Sequence, residues 1–115
     1  MAYDGSCHCG AVTFSVEGDA PTQALSCNCS ICRRKGLLLT FAPRSSLRLR
    51  GQEALKAYLF NTHRIEHQFC TTCGVEPFAF AAAPDGTPSV AINLRCVPAV
   101  DLDALEIQRF DGASR

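Results

Sequence analysis

Seven of the eight cysteines in this chain fall in three short groups. The groups are C-x-C, C-x-C-x-x-C and C-x-x-C, formed by Cys7 and Cys9, by Cys27, Cys29 and Cys32, and by Cys70 and Cys73. Thiolates are ordinary zinc ligands, and two sulfurs on one tetrahedral zinc ion lie about 3.7 Å apart. Alternate residues of a straight strand lie about 6.7 Å apart, so a C-x-C pair that shares an ion must occupy a bend. Gly10 and Gly74 follow two of the groups and supply the backbone freedom for such bends. The sequence therefore predicts metal binding.

The seven cysteines can be divided between two ions in more than one way. The C-x-C and C-x-x-C pairs can form a closed four-sulfur site, which leaves the triple as an open site with a vacant position. Catalytic zinc holds water or substrate at such a vacancy. In a second division the C-x-x-C pairs Cys29/Cys32 and Cys70/Cys73 together form a zinc ribbon. In a third, Cys96 or His8 completes the triple and both sites are structural. The spacing alone leaves these three divisions open.

The charge balance and the hydropathy of the chain indicate its compartment and the classes of partner that it lacks. Eleven basic residues match eleven acidic ones, so no global field favours nucleic acid or an acidic membrane surface. No apolar run approaches the roughly 20 residues of a membrane span, and the first residues lack the pattern of a secretory signal. We therefore expect a cytoplasmic protein without nucleic-acid or membrane partners. In that compartment clustered cysteines bind metal more often than they form disulfides, although an even number of cysteines permits a disulfide scaffold.

The pattern of apolar residues indicates the elements that must position the cysteines. Alternation predicts strands in residues 11–18, 46–51, 63–69, 89–96 and 104–110, and the apolar run 37–43 predicts another. In 63–69, Ile65, His67 and Phe69 are expected on one side of the strand. Residues 53–60 are ambiguous between helix and strand, and residues 97–105 contain one short helical turn. The chain is therefore predicted to be mainly antiparallel β, with the cysteines at turns between strands.

Four segments carry a resemblance to a known family: "GSCHCGAVTFSV", "CNCSICRRKG", "HRIEHQFCTTCGVEPF" and "INLRC". In order and spacing they resemble the glutathione-dependent formaldehyde-activating enzyme and centromere protein V family, from about Tyr3 to Phe110. The resemblance implies one domain over residues 3–110 with a small all-β, Mss4-like fold. It also implies two zinc ions, the second of them labile. The implied structural ligands are Cys7, Cys9, Cys70 and Cys73, and the implied ligands of the second zinc, at the active site, are Cys27, Cys29 and Cys32.

The resemblance further implies a carbon–sulfur lyase activity in which glutathione adds to formaldehyde. Zinc held by three thiolates suits this reaction, because it would bind an incoming thiol as thiolate at neutral pH. We hypothesise that Arg33 and Arg34 bind a carboxylate of the peptide, although a charged run is equally typical of a solvated loop. His67 either shuttles a proton or hydrogen-bonds a metal-bound sulfur, or it is a packed structural histidine.

Two other classes of function fit the same residues. One is a non-catalytic zinc module that binds a protein or a small ligand, and a permanently filled fourth position at the triple would favour it. The other is a thiol redox enzyme of similar fold, such as a methionine sulfoxide reductase. That activity requires a reactive cysteine in a cleft, and Cys96 is the cysteine left over for it. Cys96 is expected to be a small buried apolar residue instead.

Overall fold

Ten strands and one short helix make up the part of the chain that the computed structural model describes, residues 1–60 and 63–114. The elements are β1 (Ala2–Ser6), β2 (Thr13–Glu17), β3 (Gln23–Cys27), α1 (Ser30–Lys35), β4 (Leu39–Pro43), β5 (Leu47–Arg50), β6 (Leu55–Tyr58), β7 (Glu66–Cys70), β8 (Phe78–Ala82), β9 (Pro88–Asn93) and β10 (Glu106–Phe110). Single 3-10 turns lie between several strands. The all-β class predicted from the sequence is confirmed. Among the described residues, no helix has the length and apolar character needed to cross a membrane.

The strands form two sheets of unequal size. The small sheet has the order β1-β2-β5, and the large sheet has the order β10-β3-β4-β9-β8-β7-β6. Every described pair is antiparallel except β10 with β3, which run parallel. The predicted mainly antiparallel arrangement is therefore confirmed, with one parallel pair in the large sheet. A parallel pair requires a long connection, and the chain between β3 and β10 is long enough to re-enter the sheet from the same end.

The core lies between the two sheets. Phe14 and Val16 of the small sheet pack against Phe78, Val90 and Ile92 of the large sheet. The rings of Phe14 and Phe78 meet edge to face, with centroids 5.5 Å apart. Each such buried side chain stabilises the fold by about 2 kcal/mol relative to an exposed one. The strands predicted from the alternation in residues 11–18 and 89–96 are confirmed as β2 and β9.

Three local features differ from the sequence pattern or resolve it. The ambiguous segment 53–60 contains β6, which pairs with β7 at the edge of the large sheet. Ile65 precedes the first residue of β7 and is 46% exposed, so it does not share the buried position of His67. Helix α1 was not predicted, because in six residues it buries only Cys32 and therefore shows no apolar stripe.

Candidate metal centres

Four cysteines from two distant parts of the chain meet in one cluster. The sulfurs of Cys7, Cys9, Cys70 and Cys73 all lie within 4.8 Å of one another. The Cys9 Sγ is 3.6 Å from both the Cys7 Sγ and the Cys70 Sγ, close to the edge of a zinc–sulfur tetrahedron. Gly10 and Gly74 have φ angles of +82° and +79°, so the predicted glycine bends are confirmed. This group, the four-cysteine cluster, has the donor set and the spacing of a closed zinc site.

Backbone hydrogen bonds shape the two loops that carry the sulfurs of this cluster. The N–H of Val12 donates to the Cys7 Sγ at 3.4 Å, and the N–H of Gly74 donates to the Cys70 carbonyl at 2.8 Å. A hydrogen bond from the backbone N–H of Val75 lowers the pKa of the Cys73 thiol to about 6. Thiolates packed this closely repel one another unless a cation lies between them. The cluster therefore fits a divalent metal ion.

Cys27, Cys29 and Cys32 form a second group, the three-cysteine cluster, with sulfurs also within 4.8 Å of one another. Cys27 ends β3, Cys29 caps the start of α1, and Cys32 lies inside the helix. Burial raises the pKa of Cys32. Burial also acts to raise the pKa of Cys29, but hydrogen bonds to its sulfur, including one from the Cys32 N–H, outweigh this effect and lower that pKa. No other His, Cys, Asp or Glu among the described residues joins these three sulfurs. The cluster could hold a metal ion and leave one position for another ligand.

A cavity of about 380 Å³ lies beside the three-cysteine cluster. Cys27 and Cys32 line it together with Arg33, Arg95 and Arg109. The Arg95 Nε donates to the Gly36 carbonyl at 2.6 Å, which anchors that side chain next to the helix. The sulfurs therefore adjoin a cavity lined by three arginines and one acidic residue, Asp111, so its lining has a net positive charge suited to carboxylates.

The arginines of the cavity differ from those singled out in the sequence. Arg33 lines it, whereas Arg34 donates to the Ser30 carbonyl at 2.9 Å and lines a separate cavity with Tyr58 and Phe60. Arg95 and Arg109 were not predicted from the sequence, since neither is close to the triple along the chain. The adjacency of Arg95 to Cys96 in "INLRC" was the one local signal that could have drawn attention to it.

His67 belongs to a buried ion-pair network. Its Nδ1 lies 2.9 Å from the Glu76 Oε2, and the Glu76 Oε1 accepts from the Lys35 Nζ at 2.7 Å. The side chains of His67 and Glu76 are 5% and 2% exposed, and the Phe60 ring stacks on the imidazole. His67 does not line the cavity beside the three-cysteine cluster. This packed and partnered environment is that of a structural histidine.

All eight cysteines are free thiols, and Cys96 is placed apart from the triple. It lines a second cavity, of about 590 Å³, together with Cys7 and His8. Burial, followed by the charges of Cys7 and Cys73, raises the pKa of Cys96 to about 11. Neither Cys96 nor His8 therefore completes the three-cysteine cluster, and Cys70 and Cys73 group with Cys7 and Cys9 rather than forming a ribbon with the triple.

Known proteins are similar to this chain in sequence and in fold. A Halomonas elongata protein provisionally described as a glutathione-dependent formaldehyde-activating enzyme is 53% identical over 34 residues, which are 30% of this chain and 22% of that protein. This chain therefore matches less than a quarter of that relative's length. A crystal structure of a Rhodobacter sphaeroides protein is similar with a TM-score of 0.77 at 33% identity, covering 91% of this chain and 99% of that one. The sequence profile of the glutathione-dependent formaldehyde-activating enzymes matches residues 2–102, most of the chain, and the protein therefore belongs to that family.

Proposed function

We propose that this protein is a zinc-dependent enzyme of the carbon–sulfur lyase type that adds the thiol of glutathione to formaldehyde. The observation that supports this most directly is the three-cysteine cluster beside a cavity lined by three arginines. The four-cysteine cluster would hold a structural zinc ion. The three-cysteine cluster would hold a second, more labile zinc ion and would leave one coordination position free.

The residues around the open cluster have distinct tasks in this proposal. Zinc bound there would keep an incoming thiol deprotonated at neutral pH. Arg33, Arg95 and Arg109 would bind the carboxylates of glutathione and orient its sulfur toward the cluster. The sulfur forms a bond to the formaldehyde carbon, the carbonyl becomes a single C–O bond, and the proton lost by the thiol ends on the new hydroxyl. The product is S-(hydroxymethyl)glutathione, and the reaction consumes no oxidant or reductant.

The proposal places the protein in a reducing compartment, the cytoplasm, where free thiols and glutathione persist. The environment of Cys96 favours the lyase over the thiol redox alternative. A redox cysteine is exposed and has a lowered pKa, whereas Cys96 is 8% exposed and its pKa is raised to about 11 by burial. Cys96 therefore has the environment of a packing residue.

The experiment that tests the proposal measures the exchange between glutathione, formaldehyde and their adduct by NMR. We expect the zinc-loaded protein to accelerate the exchange, and the Cys29→Ser variant to remain folded without accelerating it. Zinc is counted in both samples before the measurement. If the protein holds two zinc ions and the exchange still proceeds at the uncatalysed rate, the proposed reaction is wrong and a non-catalytic zinc module becomes the better explanation.

A further inference from the structure

Residues 110–114 close against the loop between Cys27 and Cys29. Parallel pairing of β10 with β3 places Phe110 opposite Cys27, and the Asn28 N–H donates to the Phe110 carbonyl at 3.2 Å. The Asn28 side chain adds two hydrogen bonds to the same segment. Its Nδ2 donates to the Asp111 Oδ1 at 3.0 Å, and its Oδ1 accepts from the Ala113 N–H at 2.9 Å. A residue between two cysteines thus directs its side chain and its N–H to one short segment.

Gly112 brings this segment into direct contact with the cluster. A Cβ atom at this position would lie 2.5 Å from the Cys27 Sγ and 3.2 Å from the Cys29 Cβ. Glycine is therefore needed here for space, since any side chain would displace either the sulfur or the segment. The segment is also braced internally, because the Ser114 Oγ donates to the Asp111 Oδ2 at 2.7 Å.

The same segment contributes to the cavity at the open cluster. Phe110 and Asp111 line that cavity together with Cys27. The family profile ends at residue 102, so the segment lies beyond the part of the chain that the family match covers.

We propose that residues 110–114 are a positioning element of the three-cysteine cluster. Asn28 ties the Cys27–Cys29 loop to the segment, and Gly112 lets the backbone close over the Cys27 sulfur. Holding the loop in one conformation removes the entropy cost of arranging the sulfurs each time a metal ion binds. Hydrogen bonds behind metal ligands are typically worth about 10- to 100-fold in metal affinity. The inference depends on the proposed function only in requiring that Cys27, Cys29 and Cys32 hold a metal ion.

The test compares Asn28→Ala and Gly112→Ala with the unaltered chain, all loaded with zinc. Release is followed with a chromophoric chelator, and the unaltered protein is expected to show a fast phase for the three-cysteine cluster and a slow phase for the four-cysteine cluster. We expect both variants to accelerate the fast phase about 10- to 100-fold and to leave the slow phase unchanged. In cobalt-substituted protein, the sulfur-to-cobalt absorption of the open site should change in the same two variants.

Ala113→Ser is the matched control, since the Ala113 side chain is exposed and the backbone N–H to Asn28 remains. It should release zinc like the unaltered chain. Fast phases in Asn28→Ala and Gly112→Ala that equal this control would overturn the inference, and so would a control as fast as the variants. If Gly112→Ala does not fold, Asn28→Ala decides the question alone. An unaltered chain that binds only one ion would instead contradict the metal site of the proposed function, and the inference would fail with it.

Discussion

At the scale of single residues, the proposed function assigns the choice of thiol to the arginines beside the three-cysteine cluster. Arg33, Arg95 and Arg109 come from α1, from the turn after β9 and from β10, and they converge on one cavity. An anionic thiol gains charge-assisted hydrogen bonds there that a neutral thiol lacks. The cavity is therefore expected to select thiols that carry carboxylates.

Arg33→Ala and Arg109→Ala should each weaken glutathione binding about tenfold, since a hydrogen bond between charged groups contributes roughly 1.5–3 kcal/mol. Binding of 2-mercaptoethanol, which has no carboxylate, should not change. Arg34→Ala is the matched control, because Arg34 lines a different cavity. Titration calorimetry on zinc-loaded protein measures the affinity of the unaltered chain and of each of the three variants. Equal affinities in all variants would assign the basic run to an ordinary solvated surface.

Cys96 permits a prediction of pH dependence. Burial, followed by the charges of Cys7 and Cys73, raises its pKa from 9.0 to about 11. Zinc at the four-cysteine cluster would offset the thiolate charges but not the burial, so the pKa of Cys96 should stay above its ordinary value. Alkylation of Cys96 by iodoacetamide in the zinc-loaded protein should therefore be slow at pH 8 and should rise about tenfold for each pH unit until the pH approaches that pKa. Mass spectrometry of digested samples identifies the labelled residue, and rapid labelling at pH 7 would revive the thiol redox alternative.

At the scale of elements, the network around Glu76 joins α1 to the segment that follows Cys73. Lys35 lies on the helix that carries Cys32, while Glu76 follows the turn at Gly74. The ion pair therefore connects the elements that hold the two clusters. Both oxygens of the buried Glu76 carboxylate contact a partner, Lys35 or His67. Loss of the carboxylate charge would leave these two side chains without the anion that compensates them.

Glu76→Gln should lower the free energy of unfolding by about 3 kcal/mol, the lower end of the range for breaking a buried pair, because the Lys35 side chain is still 29% exposed. Urea denaturation of the zinc-loaded protein measures this change. The control is Glu17→Gln, which removes an exposed ion pair with Arg48 at 3.7 Å and should cost at most about 1 kcal/mol. Similar midpoints for the two variants would show that the buried network contributes little.

At the scale of the whole molecule, the two clusters occupy different places in the architecture. The four-cysteine cluster joins the connection between β1 and β2, in the small sheet, to the end of β7, in the large sheet. A metal ion there would link the two sheets, which lie on opposite sides of the core. The three-cysteine cluster uses only β3 and α1, so an ion there would organise a local loop.

Substitution of one ligand in each cluster should therefore have unequal consequences. Cys73→Ser should yield insoluble protein, because structural zinc supplies much of the stability of a small domain. Cys29→Ser should yield folded protein that contains one zinc ion fewer. Soluble yield, circular dichroism and zinc counting distinguish the two outcomes. Equal damage from both substitutions would indicate two structural sites.

The expectation that one domain spans residues 3–110 stays a prediction, and limited proteolysis of the zinc-loaded protein would test it.

Features that depend on near neighbours along the chain could be predicted from the sequence. The local backbone sets the glycine bends after Cys9 and Cys73 and the alternation of buried and exposed side chains in β2. These features involve residues one or two positions apart, so spacing and alternation predict them. The resemblance to a family, rather than the spacing, implied how the cysteines divide.

Which distant residues meet became evident in the folded chain alone. The fold accounts for three such groups of contacts. It brought Cys7 and Cys9 to Cys70 and Cys73, placed Arg95 and Arg109 beside the open cluster, and laid residues 110–114 over the loop at Asn28. These contacts arise because two sheets pack on one core and because β10 returns to pair with β3. Packing of this kind joins residues many positions apart and leaves no periodic pattern along the chain.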